Sequence, residues 1–435
     1  TTDLNLHNLD DDTHATISLA SSDTGEATVS PATLTFTEGN WNTAQTVTVT
    51  GVNDTDRDRH QDYKISLTAA DQLIDNPEVT TLAGSGSAGS SNGTGTAAQF
   101  KDPIAATIVD GNLYVADSTN DKIRKIVIST GVVTNFAGSG SGGSTDATGT
   151  AAKFDFPSGI TTDGTNLYVV DHSNHTIRKI VISTGVVTTL AGSAGSTGST
   201  DATGTVARFK KPRGITIDGT NLYVADGDNH KIRKINTSTG VVTTFAGSTS
   251  SGSTDATGTA AKFNTPRGIT TDGTNLYVVD SSNHKIRKIV IATGAVTTLA
   301  GSGSQGSADG TGTAATFKNP RGITTDGTNL YVADASNNKI RKIVISTGVV
   351  TTLAGSTSYG STDATGIAAR FNSPFGITTD GTNLYVTEHG NDKIRKIALR
   401  GTVTADLNLH NLDDDTNATI NLASSDTGEA TVAPA

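Results

Sequence analysis

Short apolar segments alternate with clusters of turn-forming residues along most of the chain. In one stretch the apolar segments cover residues 159–163, 166–171, 176–182 and 186–192, and Gly, Asn, Asp, Ser and Thr dominate the intervals. Glycine and asparagine tolerate positive φ, and aspartate and serine bond to their own backbone, so these intervals are typical of tight turns. The pattern predicts four short β-strands and no helix.

This four-strand pattern recurs six times, and each copy contains Asn-Leu-Tyr-Val with a tyrosine every 54 or 55 residues. The tyrosines are Tyr114, Tyr168, Tyr223, Tyr277, Tyr331 and Tyr385. Six copies of four strands predict an all-β fold, a six-bladed β-propeller. A lone fourth strand at residues 79–84 precedes the first copy, and the sixth copy stops after its third strand, residues 393–397. We expect the leading strand to complete the last blade.

A second duplication joins the two ends of the chain. Residues 3–12 return almost unchanged as residues 406–415, and residues 21–26 match residues 424–429. The simplest interpretation is one period of a longer tandem array. The alternative is a strand exchanged between subunits, which would link copies of the chain into a filament.

The propeller copies resemble the NHL repeat. The third copy carries its three motifs at residues 212–215, 222–226 and 229–234, and the preceding loop, residues 200–209, resembles that of bacterial NHL propellers. The resemblance extends over about residues 77 to 400 and implies a six-bladed propeller. The first copy departs from it, with Ile104-Ala-Ala-Thr in place of Arg-Gly-Ile-Thr and Asn92 in place of an aspartate.

The segment before the propeller resembles a different family. Residues 25–37, 40–54 and 62–67 are similar to the Calx-β and cadherin-like sandwich modules of large bacterial surface proteins. The resemblance implies an Ig-like β-sandwich with the propeller inserted between its last two strands. The predicted domains are 1–12 as the last strand and Asp-rich linker of a preceding module, 13–75 plus 403–415 as the sandwich, 76–402 as the propeller and 416–435 as the start of the next module.

Acidic residues cluster where these modules would meet, and clustered carboxylates are the hard oxygen ligands that Ca²⁺ prefers. The alternative is a solvated acidic linker partly neutralised by Arg57 and Arg59. The candidate ligands are Asp54, Asp56, Asp58, Asp413, Asp414 and Asp415, with Asp10, Asp11 and Asp12 serving a preceding module.

Arg213, Arg267 and Arg321 precede Gly-Ile at the entry to the innermost strand in three consecutive copies. We expect them to crowd the mouth of the central channel, where they would bind an anionic ligand or an acidic peptide. The alternative role is hydrogen bonding to carbonyl groups of the inter-blade loops.

Two other recurring features favour structural roles. His175, His230 and His284 occupy one position of successive copies, and we expect them to stabilise turns, because such distant histidines cannot share one metal ion. The Lys-Ile-Arg-Lys-Ile segments predict exposed ion pairs with aspartates of the same blade, and exposed pairs contribute only about 0 to 1 kcal/mol each.

The amino-acid composition argues against several classes of protein. The chain has 32 basic and 42 acidic residues among 435, a formal net charge of −10, which argues against a nucleic-acid partner. It has no cysteine, and so neither a disulfide scaffold nor a thiolate site. No apolar run reaches the length of a membrane span. The nearly interchangeable blades favour a scaffold over an enzyme.

We therefore predict a non-catalytic, repeating bacterial protein of the extracellular space or cell surface, structural or adhesive, in which the propeller is a display or packing module on a calcium-stiffened sandwich. Its predicted partners are copies of itself and a surface protein or glycan. One alternative is a ligand-binding or enzymatic propeller acting at the channel mouth. The other is a filament subunit that exchanges its duplicated terminal strand.

Overall fold

The computed structural model describes residues 4–5, 15–22, 24–25, 27–36, 43–52, 62–73, 76–410, 417–424 and 431–434. The chain divides into two compact units, Asn76–Ile397 and Thr1–Asp75 with Ala398–Ala435. No helix in the described part of the chain is long and apolar enough to cross a membrane.

Six antiparallel sheets of the larger unit form the blades. Each has four main strands, numbered here from the central axis outward. The first strands are Pro103–Val109, Pro157–Thr162, Pro212–Ile217, Pro266–Thr271, Ile323–Thr325 and Pro374–Thr379. The second strands are Asn112–Asp117, Asn166–Asp171, Asn221–Asp226, Asn275–Asp280, Asn329–Asp334 and Asn383–Glu388. The third strands are Lys122–Val127, Thr176–Val181, Lys231–Asn236, Lys285–Val290, Lys339–Val344 and Lys393–Ala398.

The fourth strands complete the sheets. They are Val132–Ala137, Val186–Ala191, Val241–Ala246, Val296–Ala300, Val349–Gly355 and, in the last blade, Glu78–Ala83. Short fifth strands pair with five of them, at Gly93–Thr94, Ala147–Thr148, Ala202–Thr203, Gly310–Thr311 and Ala364–Thr365. The 3₁₀ turns between blades are Gly95–Ala97, Gly149–Ala151, Gly204–Val206, Gly258–Ala260, Gly312–Ala314 and Gly366–Ala368. The 3₁₀ turns after second strands are Ser118–Asn120, Gly227–Asn229, Ser281–Asn283 and Ala335–Asn337.

The ring closes as the sequence predicts. Val79 pairs with Ile397 and Ala83 with Ile394, so the strand nearest the beginning of the unit becomes the outermost strand of its last blade. The six first strands contact one another in chain order, and the sixth contacts the first. The repeated four-stranded sheets therefore confirm the β-propeller.

Core packing couples each blade to the next. The second strand is buried at almost every position because both of its faces lie against protein. Between the first and second blades, Tyr114 and Ile123 of one blade pack with Ile160 and Leu167 of the next, together with Phe154 of the connecting loop. This is why each repeat contains a fixed set of apolar positions on strands one to three and a phenylalanine in the loop.

The smaller unit contains two further sheets. One has the strand order Arg400–His410, Asp62–Leu73, Ala15–Ser21, Thr33–Phe36. The other has the order Leu4–Asn5, Thr431–Pro434, Asn417–Ser424, Gln45–Gly51, Ala27–Ser30. Alternate residues such as Ile17 and Leu19, or Val47 and Val49, are buried, as period-two burial of a strand requires.

The duplicated segment contributes to both of these sheets. The strand Arg400–His410 pairs with Asp62–Leu73, and the strand Asn417–Ser424 pairs with Gln45–Gly51. These pairings do not decide between one tandem period and strand exchange. The boundaries 1–12, 13–75 plus 403–415, 76–402 and 416–435 stay predictions, as does the Calx-β-like sandwich.

Candidate functional site

The third strand of every blade carries a fully buried arginine. In the third blade, Arg233 donates to the carboxylates of Asp226 (Nη1 to Oδ2, 3.0 Å) and Asp201 (Nη2 to Oδ1, 2.6 Å), and to the carbonyl oxygens of Arg208 and Thr200. The predicted pairing with the strand aspartate is confirmed. The predicted exposure is wrong, because the inter-blade loop covers the guanidinium. The six arginines are Arg124, Arg178, Arg233, Arg287, Arg341 and Arg395.

The inter-blade loop is built around this arginine. Phe209 lies under the guanidinium of Arg233, 5.1 Å from ring centroid to Cζ. Asp201 also accepts hydrogen bonds from the backbone N–H and the hydroxyl of Thr244, which ties the loop to the fourth strand. In the first blade Asn92 replaces this aspartate and still accepts from Arg124, at 3.1 Å. The loop motif is thus explained by structure, and needs no ligand.

The repeated histidines have a structural role as predicted. His230 ends the turn after the second strand at φ 58°, and its Nδ1 accepts a hydrogen bond from the backbone N–H of Thr265 in the next blade. His175 and His284 make the equivalent contact to Lys211 and Asn319. The equivalent acceptors in the other blades are side-chain oxygens of Asp121, Asn338 and Asp392.

All residues predicted to bind calcium lie outside the described ranges. They are Asp10, Asp11, Asp12, Asp54, Asp56, Asp58, Asp413, Asp414 and Asp415. Among the residues that the structure does describe, no group of three or more His, Asp or Glu side chains could hold a metal ion. Calcium binding stays a prediction.

The three arginines predicted at the channel mouth do line one cavity. Its volume is about 420 Å³, and it lies at the axis of the propeller, within the size range of small-molecule sites. Arg213 and Arg267 follow the prolines that begin the first strands of the third and fourth blades, and Arg321 follows Pro320, two residues before the first strand of the fifth blade. We call these three residues the cationic arc.

The cationic arc is poorly compensated. Arg213 pairs weakly with Asp228 at 3.4 Å, whereas the guanidinium groups of Arg267 and Arg321 make no ion pair within the described part of the chain. The Nε atoms of all three are buried without a hydrogen-bond partner there. Among the described residues, no carbonyl of the inter-blade loops accepts a hydrogen bond from these side chains, and their role stays a prediction. Burial lowers the pKa of Arg267, and the positive charges of Arg213 and Arg321 lower it further.

The opposite side of the cavity carries no charge at the same position. Ser158, Ile104 and Phe375 occupy the register of the three arginines in the second, first and sixth blades, and we call them the uncharged arc. In a closed ring of six blades the first faces the fourth, so Ile104 lies across the axis from Arg267. The cavity is therefore two-sided.

Aromatic residues support the uncharged arc. Phe375 stacks on His389 with centroids 4.3 Å apart, and the Cζ of Arg321 lies 4.4 Å from the centroid of the same ring. On the other flank, Phe156 lies beside His172, whose Nδ1–H donates to the carbonyl of Pro212 at 2.8 Å. Burial lowers the pKa of His172 to about 4, so its ring is neutral at pH 7.

Glycines set the floor of the cavity. A Cβ atom on Gly214 would lie 2.1 Å from the carbonyl oxygen of Arg267, and one on Gly268 would lie 2.4 Å from that of Arg321. Neighbouring first strands are therefore in direct backbone contact. Isoleucines that follow the glycines also line the cavity, at Ile160, Ile215, Ile269, Ile323 and Ile377.

Sequence reasoning located the three arginines but missed the other half of the cavity. Phe156, His172, Phe375 and His389 line it, and each departs from its equivalents in most other copies. That departure was the available signal. In a repeat protein, the positions where copies differ mark the places where symmetry is broken.

Comparison with known proteins supports the repeat type. No protein-family model matches the chain. The protein SUPPRESSOR OF QUENCHING 1, chloroplastic, of Arabidopsis thaliana is 29% identical over 290 residues, which cover 62% of this chain and 27% of that protein. NHL repeat-containing protein 2 of Homo sapiens is 29% identical over 317 residues, 64% of this chain and 44% of that protein. The chain spans less than half the length of either relative.

A solved structure shares the fold. The auxiliary nutrient binding protein of Bacteroides ovatus superposes with a TM-score of 0.57 at 16% identity, covering 82% of this chain and 94% of that one. Together with the six sheets of four main strands each, these similarities support an NHL-repeat β-propeller.

Proposed function

We propose that the propeller is a non-catalytic binding module that takes a small organic anion at the mouth of its channel. The sequence leaves open a ligand-binding or an enzymatic propeller that acts at the channel mouth, and we propose only the ligand-binding form. The observation that carries it is the pair Arg267 and Arg321, two partly buried guanidinium groups that face one cavity and have no carboxylate partner among the described residues.

Charge compensation explains why an anion would bind. An arginine brought out of water is stable when its donors reach acceptors and its charge reaches an opposite charge. In the described part of the chain the guanidinium groups of Arg267 and Arg321 lack both, and the three like charges of the cationic arc repel one another. A carboxylate or phosphate between Arg267 and Arg321 would supply acceptors for the guanidinium donors, which form charge-assisted and often bidentate bonds with such groups. The chain as a whole is acidic, so the positive site is local.

Titration calorimetry of the full chain with hexanoate, acetate and inorganic phosphate tests the proposal. Arg267→Ser copies the serine that the second blade holds in this register, so the fold is expected to tolerate it. It should weaken anion binding at least tenfold, since a hydrogen bond to a charged group contributes about 1.5–3 kcal/mol. The control is Lys288→Ser, which removes one positive charge from the same blade outside the cavity. Equal effects of the two variants, or no binding by the parent, would overturn the proposal.

The wider biological setting stays a prediction. A structural or adhesive role in a tandem surface protein, an extracellular location, calcium stiffening and self-association through the duplicated strand all rest on the sequence alone. Scanning calorimetry with calcium and with a chelator tests the metal. If the acidic clusters share ions, the chelator should lower the unfolding temperature of the smaller unit and leave that of the propeller unchanged.

A further inference from the structure

We infer that the cavity selects anions that carry an apolar body, such as a carboxylate or a phosphate monoester on an alkyl chain, over small inorganic or fully polar anions. This inference names the ligand class of the site and rests on the proposed function. The feature that carries it is the opposition of the cationic arc and the uncharged arc across one axial cavity.

The anionic group of a ligand can meet arginines on only one side of the cavity. Blades three, four and five each contribute Arg-Gly-Ile, and these arginines are the cations that line the cavity among the described residues. Ile104 stands across the axis from Arg267, so a ligand whose head meets Arg267 extends its remaining atoms toward Ile104. A head group alone would leave that side of the cavity to water.

The uncharged arc also offers few hydrogen-bond donors to a polar body. The hydroxyl of Ser158 donates to the carbonyl of Arg213 at 3.0 Å. The Nδ1–H of His172 is likewise used within the protein, on Pro212. Phe375 fills the space between Arg321 and His389. A sugar or a polar dianion that reached across the cavity would therefore leave hydroxyl or carboxylate groups poorly bonded, which is costly.

The floor adds apolar surface below the head group. The isoleucines of blades two to six are each 6% exposed, and they line the cavity together with the glycines that precede them and with Ala105 and Ala106 of the first blade. Apolar atoms of a ligand would bury against this surface. Each methylene so removed from water strengthens binding about fourfold.

The experiment compares matched head groups with and without a tail. Calorimetric titration of the full chain should give hexanoate at least a tenfold higher affinity than acetate, and hexyl phosphate at least a tenfold higher affinity than inorganic phosphate. If only one of the two tailed ligands shows the gain, it identifies the head group as carboxylate or phosphate. If neither does, the inference is wrong.

Two variants assign the tail to the uncharged arc. Ile104→Ser, again copying the second blade, should weaken hexanoate binding several-fold and leave acetate unchanged. Ser158→Ile copies the first blade and should strengthen hexanoate binding, so it tests the same point if Ile104→Ser folds poorly. A tail preference that neither variant changes would overturn the inference.

The two proposals fail in different ways. If acetate, hexanoate and phosphate bind with similar affinity and Arg267→Ser abolishes all three, the anion site stands and the selectivity for an apolar body is wrong. If Arg267→Ser has no effect on any of them, the proposed function itself is wrong, whatever the tails do.

Discussion

The propeller uses arginine in two ways, and the contrast identifies its site. Arg233 of the third strand is fully buried and bonds two carboxylates and two carbonyl oxygens. Arg267, one blade on and at the axis, is partly buried and makes no hydrogen bond or ion pair with the residues that the structure describes. The first kind recurs in all six blades, whereas the second occupies three blades out of six.

Among these arginines, the one that recurs in every blade is the one that bonds to acceptors within the fold. The loss of this repeated arginine would therefore damage any of the six blades in the same way. A side chain that only some copies keep, and that the fold leaves without partners, is available to something outside the chain. The distinction concerns partners and symmetry, because both kinds of arginine are positively charged.

The sharpest way to break the comparison is to remove one arginine of each kind. Arg233→Met should lower the free energy of unfolding by about 3–5 kcal/mol, because it leaves the carboxylate of Asp226 buried without its cation. Arg267→Met removes the same charge from the cationic arc and should leave stability unchanged or slightly higher, since it relieves repulsion. Urea denaturation of both variants and the parent measures the difference.

If the two variants lost similar stability, the partners seen for Arg233 would not account for its role. A loss confined to Arg267→Met would reverse the assignment and make the axial arginine a structural residue.

A smaller effect is expected from the loop aspartate. Asp201→Asn gives the third blade the asparagine that the first blade holds as Asn92, although the first blade also has Asn135 in place of Thr244. It should cost about 1 kcal/mol, since the carboxylate is half exposed and its interaction is partly screened. The amide also brings N–H groups against the backbone N–H of Thr244. The reciprocal change, Asn92→Asp, should stabilise the first blade by a smaller amount. Thermal unfolding of both single variants measures the two changes in stability, which should be opposite in sign. Changes of the same sign would contradict this account of the loop.

The smallest effect concerns a turn carboxylate and its dependence on pH. Burial would raise the pKa of Asp218, but hydrogen bonds from Asn221, Thr220 and the hydroxyl of Tyr223 outweigh it and hold that pKa below its usual value. A lowered pKa in the folded state contributes stability above about pH 4 that is lost as the pH falls through the folded value. The turn should therefore weaken in acid.

Tyr223→Phe removes one of these donors. It should cost about 1 kcal/mol or less at pH 7, and the difference from the parent should shrink as the pH falls below about 4. Urea denaturation at pH 7 and pH 3 measures it. Tyr114→Phe is the matched control, because Asp110 of the shorter first-blade turn acts on Tyr114 through its charge, and no hydrogen bond joins the two among the described residues. A difference that stayed constant with pH would remove Asp218 from the explanation.

The sequence predicted the propeller well because its signals are local and repeated. Strand periodicity and turn chemistry set each blade, and the unpaired strand at 79–84 with the shortened sixth copy indicated how the ring closes. The burial of Arg233 was not predictable in this way. It depends on a loop that folds back over the strand, and the sequence shows the motif Asp201 to Phe209 without showing what it covers.

Only half of the candidate site was predictable from the sequence. Three arginines in one register indicate a common place at the axis, and the register is a local property. Which residues stand opposite them depends on the number of blades and on the order around the ring. In the sequence alone, Ile104 is only a departure from the repeat. Its position across the axis from Arg267 follows when the six blades form a closed ring.

The closing strand has a mechanical consequence. Because Glu78–Ala83 and Lys393–Ala398 are antiparallel, with Val79 opposite Ile397, the chain enters and leaves the propeller at the same end of one strand pair. A pulling force applied at those two points acts perpendicular to the two strands. It therefore breaks the hydrogen bonds between them one after another and does not load them all at once. Force applied at those two points would thus open the sixth blade before the other five.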